Sequence, residues 1–188
     1  KPVHGTSLRI AGILGQRLTD GLCYECTMLL LLPKNWQQVL KYGKPDILLV
    51  ESTWFTATGH WYMAQSVPGD QHEELDRMLK LAKKLNIPTV FWFTLDSQYH
   101  EYFVEFARHF DRVYCVDPKG PELMAKDGVR AELLLPAVQP VIFNPIHDYN
   151  TISIQNTGIV YDGWYDLFKF PDLNTVISKF KELNLNII

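Results

Sequence analysis

Cysteine is scarce. Three cysteines in 188 residues are an odd, sparse set, not the paired framework that staples small secreted domains, so a reducing compartment is expected. Long apolar runs are missing too: none reaches the roughly 18–20 residues that span a bilayer. The first residues also lack the pattern of a signal peptide, and the expected location is the cytoplasm. Nor is there an excess of charge of one sign. The 18 basic and 21 acidic residues give a formal net charge of -3 and an isoelectric point near 6.1, which leaves no electrostatic footprint for nucleic acid or an anionic membrane. With no internal repeat, low-complexity tract or long block of like charge, disorder is expected only at the ends.

What the chain does have is apolar and aromatic residues, 47% and 13% of the total, enough to bury a sizeable core. Strand-like apolar runs recur at Leu8–Leu14, Asp46–Glu51, Thr89–Phe93, Arg112–Val116 and Ala131–Leu135. Segments of helical spacing separate them, the alternation of parallel βαβ units. A helix should begin near Asp70, with Glu73 reaching back as in a capping box and Leu75, Met78, Leu79, Ala82 and Leu85 on one face. Another should run from Gln98 to Phe110, capped by Asp96 or Ser97, with Tyr99, Phe103, Phe106 and Phe110 in one stripe. Residues 22–42 read as helix, broken at Pro33. Pro136, Pro140 and Pro145 then mark a linker or crossover. A strand at Gly158–Tyr161, a turn at Asp162–Asp166, a helix at Asp172–Leu183 and a strand at Asn184–Ile188 follow. The expected organisation is a Rossmann-like α/β domain over residues 1–150, helices on both faces, and the start of a second such domain over 151–188, cut short inside a strand.

Ligands of open α/β sheets bind beyond the carboxyl ends of the strands. Two strands here end in polar and aromatic residues: Glu51, Ser52, Thr53 and Trp54, and Thr94, Asp96 and Ser97. Gly12 and Gly15 follow the first strand, and Gln16–Asp20 reads as a polar turn before a helix, where amides and Arg17 would favour an anion. No G-x-G-x-x-G or P-loop spacing is present. Trp54, His60 and Trp61 share a loop with Thr53, Thr56, Thr58 and Gly59; such aromatic and hydroxyl groups suit sugar rings, and the same indoles would equally plug the end of a core. Glu51 and Asp96 are also possible paired carboxylates of a glycosidase. His100, one turn after Asp96, is a candidate acid or base, or an exposed residue of a first helical turn. The remaining histidines form no metal motif. Cys23 and Cys26 have C-x-x-C spacing near an expected helix start, which suits either a thiol redox pair or two core residues.

Taken together, Leu8–Leu14 with Gly21–Glu25, Pro45–Trp54, Ile87–Trp92, Phe110–Val113 and Leu135–Val138 resemble the bacterial glycosyltransferases related to the spore-maturation protein CgeB, within the two-domain GT-B class of family-4-like enzymes. The resemblance covers roughly residues 8–145. It implies facing Rossmann-like domains, an N-terminal one for the acceptor and a C-terminal one for a nucleotide-sugar donor, with that donor as substrate and neither metal nor cofactor. By this reading Gly15, Gln16 and Arg17 approach the donor diphosphate from the N-terminal side, Trp54, His60, Trp61, Asp96 and His100 line the acceptor pocket, and Glu51, at its strand end, is a further candidate for substrate binding. Asp96 or His100 is the base if the transfer inverts and neither is required if it retains, and Gly163 and Trp164 open the donor side. Relatives carry an acidic pair and a proline after the Trp-containing strand, where this chain has Thr94-Leu95-Asp96-Ser97; only Asp96 carries over. The implied activity is sugar transfer to a cell-surface glycan or other acceptor, although this chain alone is expected to be inactive, because the donor's phosphate-binding residues would lie beyond Ile188. The competing reading is a non-catalytic, flavodoxin-like ligand-binding or regulatory domain.

Overall fold

Alternation along the strands sorts the apolar side chains onto the two faces of one sheet. Ala11, Ile13, Leu48, Val50, Phe91 and Phe93 face one way, into the larger core; Ile10, Leu49, Val90 and Trp92 face the other. The computed structural model describes residues 7–143, 160–161, 172–180 and 186–187, and the chain divides into two compact units, Lys1–Phe143 and Asn144–Ile188.

In the first unit the order is β1 (Arg9–Ile13), α1 (Gln16–Leu22), β2 (Thr27–Leu30), α2 (Trp36–Tyr42), β3 (Ile47–Glu51) and α3 (Asp70–Lys84). Then come β4 (Thr89–Phe93), a 3-10 turn (Ser97–Tyr99), α4 (His100–Ala107), β5 (Arg112–Cys115), α5 (Gly120–Lys126) and β6 (Glu132–Leu133). All six strands are parallel, in the order β2-β1-β3-β4-β5-β6. This is the expected Rossmann-like α/β architecture. Side chains of α2, α3, α4 and α5 fill the larger core, whereas Leu18 and Leu22 of α1 pack on the smaller one with Ile10, Leu14, Cys26 and Leu49. The order reverses between β1 and β3, the switch point at which such sheets open a crevice.

Local details depart from the sequence expectation. Residues 27–30 are not helix but the edge strand β2, paired with β1 from Arg9↔Thr27 to Gly12↔Leu30. The Gln16–Asp20 segment is not a turn preceding a helix; it is α1 itself, starting directly after Gly15. The capping box at α3 does not form: Gly69 is the N-cap, and Asp70 and Glu73 lie in the first turn with no side-chain cap bond. Leu75, Met78, Leu79 and Ala82 are buried as the spacing requires, while Leu85 is the partly exposed C-cap. The aromatic helix is shorter than its stripe, beginning at His100 after the 3-10 turn.

Asp111 ties the start of β4 to the start of β5. Its Oδ2 accepts the Thr89 amide and hydroxyl, each at 2.8 Å, and the Thr89 hydroxyl accepts the Asp111 amide at 3.0 Å. The Thr89 donors, amide first, hold this carboxyl below the usual range. Asp111→Ala should lower the unfolding free energy by about 1 kcal/mol, since it strips a buried threonine of its acceptor, and should lower the urea midpoint without changing the slope. The carboxylate's contribution is complete above the ordinary value of 3.8 and is lost as pH falls through the lower folded value. The gap between wild type and variant should therefore close in acid.

The second unit contains β7 (Val160–Tyr161), α6 (Leu173–Phe180) and β8 (Asn186–Ile187), with β7 and β8 parallel. The expected turn at 162–166, with Gly163 and Trp164, lies outside the described residues.

Candidate functional site

Glu51 is the last residue of β3, and strand alternation turns it to the same face as Ile47 and Leu49. That face carries α1. The carboxylate is gripped from both sides: Oε2 accepts the Gly15 amide at 2.7 Å, and Oε1 accepts the Thr94 hydroxyl at 2.8 Å. Its own backbone carbonyl accepts the Gln65 side-chain amide at 2.8 Å. A Cβ at Gly15 would sit 3.2 Å from Oε2, so glycine is what lets the end of β1 close on the acid. Burial pushes the Glu51 carboxyl above its ordinary value of 4.5, against the lowering effect of the Gly15 and Thr94 donors.

Beside Glu51 lies a cleft of about 490 Å³ at the carboxyl edge of the sheet. One wall is α1 with Arg17, Leu18 and Leu22; the floor is Trp92 and Thr94 from β4 and the residue after it; the opposite wall is the segment Pro136–Gln139. Most of this lining is apolar, the usual character of a small-molecule site, with a few polar groups to fix orientation. The opposite wall is held in place by Gln139, which is buried although its segment reads as a linker in the sequence. The Gln139 amide nitrogen donates to the Glu25 carboxylate at 2.8 Å and to the Gly21 carbonyl at 3.1 Å, and its oxygen accepts the Val141 amide at 3.1 Å. Trp92 adds a bond from its indole to the Leu134 carbonyl at 3.2 Å.

The residues singled out from the sequence have different places. Arg17 and Glu51 line the cleft, and Gly15 stands behind it, holding Glu51 through its amide. Gln16 does not line it; its amide bonds Asp20 one turn on, at 2.7 Å. The Gly15 amide is already donated to Glu51, so an incoming phosphate at that corner would meet a carboxylate. Trp61 is wholly buried, its indole donating to the Leu31 carbonyl at 2.8 Å; it is a core plug with no face for a ligand. Trp54 is half-buried against Tyr99, Tyr102 and Phe103, and His60 is exposed on the loop between them. Neither lines the cleft. Asp96 is exposed and also off the cleft. His100 points to another element, with Nε2 3.3 Å from Asp127 and Nδ1 3.2 Å from the Ser97 carbonyl. The second carboxylate on the cleft wall is therefore Glu25, which sequence reasoning did not single out.

Cys23 and Cys26 sit at the C-terminal end of α1, not at a helix start. Cys26 is buried in the smaller core, and burial, with Glu25 and Cys23 nearby, pushes its thiol up. A thiolate is disfavoured at Cys26. Among the described residues, no group of three His, Cys, Asp or Glu side chains is placed to hold a metal ion, and no helix is long and apolar enough to cross a membrane. Compared with protein families and with curated proteins, the chain finds no match.

Proposed function

We propose that this chain is the acceptor-binding half of a metal-independent glycosyltransferase that uses a nucleotide-sugar donor, and that the cleft beside Glu51 seats the acceptor. The observation that carries the reading is the clamped carboxylate. Glu51 is a partly buried acid held in a fixed direction by the Gly15 amide and the Thr94 hydroxyl, with raised affinity for a proton, set beside indole and aliphatic walls. That combination suits a neutral polyol, whose hydroxyls need an acceptor and whose C–H faces need an apolar surface. In an inverting transfer Glu51, in place of Asp96 or His100, takes the proton of the acceptor hydroxyl as its oxygen bonds to the anomeric carbon. The bond from that carbon to the donor's diphosphate breaks, and the nucleoside diphosphate leaves with the electron pair.

A second reading has a specific observation in its favour. The strand order β2-β1-β3-β4-β5 is that of flavodoxin-like domains, which bind at the same switch point. Titration of the chain with methyl pyranosides and with flavin mononucleotide, followed residue by residue in amide NMR spectra, separates the two. Saturable shifts at Glu51, Thr94 and Leu95 with a pyranoside are expected. Shifts at these amides with the flavin alone would reject the transferase reading.

A further inference from the structure

Between Glu51 and Asp70 the chain runs for 18 residues, Ser52 to Gly69, without an Asp, Glu, Lys or Arg. A surface loop this long usually carries charge; this one carries hydroxyls and aromatics instead. Its backbone is pinned. The Ala57 amide donates to the Leu14 carbonyl at 2.8 Å, next to the Gly15 corner, and the Met63 amide to the Trp54 carbonyl at 3.3 Å, closing the loop on itself. The Thr56 hydroxyl bonds the His60 carbonyl across the tip.

Two non-glycine residues, Trp61 and Met63, take positive φ of 61° and 51°, a conformation that costs side-chain-bearing residues free energy. On this loop Trp61 goes into the core and Tyr62 comes out, beside Phe55. Phe55 is 70% exposed and Tyr62 54% exposed. Their rings lie 5.1 Å apart, tilted by 45°, as an open pair on a loop tied to the rim of the site. Two exposed rings side by side offer an apolar face to a ligand. The absence of charge throughout the loop argues for a neutral partner over a charged peptide, a phosphate or a nucleic acid.

We infer that Phe55 and Tyr62 form a stacking platform for a further sugar ring of the acceptor, so that the acceptor is an oligosaccharide or longer glycan, with Thr58 and His60 offering polar groups at the ring's edge. The inference rests on the reading of the cleft as the acceptor site. It also moves the aromatic contact from Trp54 and Trp61 to their sequence neighbours.

The test titrates wild type, the Phe55→Ala/Tyr62→Ala double variant, the Phe55→Trp variant and Glu51→Gln. The probes are methyl glycosides of glucose, galactose, mannose and N-acetylglucosamine and the matching linear tetrasaccharides, read by calorimetry and amide NMR. One tetrasaccharide should bind wild type about tenfold tighter than its methyl glycoside, equivalent to about 1.4 kcal/mol, and shift the Phe55 and Tyr62 signals. The double variant should bring that ratio to one with methyl glycoside affinity unchanged, and Phe55→Trp should preserve it. Equal affinity for long and short saccharides, with shifts confined to Glu51 and Thr94, overturns the platform and leaves the cleft reading standing. Tetrasaccharide binding lost in the double variant but intact in Glu51→Gln keeps the platform and removes Glu51 from acceptor binding. Binding of no saccharide overturns both. Concentration-dependent dimers in sedimentation that the double variant abolishes assign the patch to a second copy of the chain and overturn the platform.

Discussion

Trp61→Ala is expected to cost about 3–5 kcal/mol of unfolding free energy, the range for deleting a fully enclosed large aromatic side chain. Against a typical total of about 5–15 kcal/mol, that leaves a domain folded only marginally. Two effects add. The indole is completely buried in the larger core, with Leu31, Trp36 and Ala64 in the same cluster, so alanine leaves a cavity at the carboxyl end of β1 and β2. Its N–H also serves the carbonyl of Leu31, itself a buried residue. Trp61→Phe separates these effects: it keeps most of the apolar contact, removes the donor, and should cost about 1–3 kcal/mol. Urea unfolding measures both. Phe55→Ala on the same loop, which removes an exposed ring, should stay within about 0.5 kcal/mol of wild type. If Trp61→Ala were as mild as Phe55→Ala, the loop would not be part of the core.

Glu51→Gln should have the largest effect on function. In a protein carrying both halves of the proposed enzyme, transfer should fall by at least about a hundredfold, the low end for loss of a general base, with KM changed far less than kcat. The wild-type acid limb should lie above the ordinary glutamate value of 4.5, because burial raises this carboxyl and only its ionised form accepts a proton. The effect on stability has the opposite sign. A carboxyl raised on folding binds its proton more tightly in the folded state, so its favourable contribution is complete below 4.5 and is lost as pH rises through the folded value. Gln removes that loss, and its amide can still accept from Gly15 and face the Thr94 hydroxyl. The variant should therefore be at least as stable as wild type at pH 7 in thermal melts. Activity near wild type in Glu51→Gln would remove Glu51 as the base.

Five of the six strands of the main sheet were legible because they are apolar runs bounded by turn or cap residues. The sixth, Thr27–Leu30, was not. Met28 to Leu32 are residues that favour helices, and only pairing along β1 makes the first of them a strand, a contact that local preference does not contain. The Asp70–Glu73 spacing was a sound capping box in sequence, yet Gly69 stands one residue ahead and takes the N-cap position. At the site, Glu51 and Arg17 followed from the rule that ligands gather at strand ends. Gln139 did not, since its partner Glu25 is 114 residues away. Phe55 and Tyr62 were passed over for Trp54 and Trp61 because residues 52–69 form neither helix nor strand, and such a loop has no periodicity from which to read which of two neighbouring aromatics turns outward.

The order β2-β1-β3-β4-β5-β6 also bears on how the molecule is made. Once β3 has left the ribosome, β1 has both of its neighbours. Every later strand needs only the edge laid down just before it, and none has to be threaded between two strands already joined. The sheet can grow in step with translation, which proceeds at about 5–20 residues per second. At each pause, opposite the permanent edge β2, the newest strand is an open edge. While the chain ends between β4 and β5, that edge is Thr89–Phe93 with its run of aromatic residues, and this is the stage at which a nascent chain has most to gain from a chaperone.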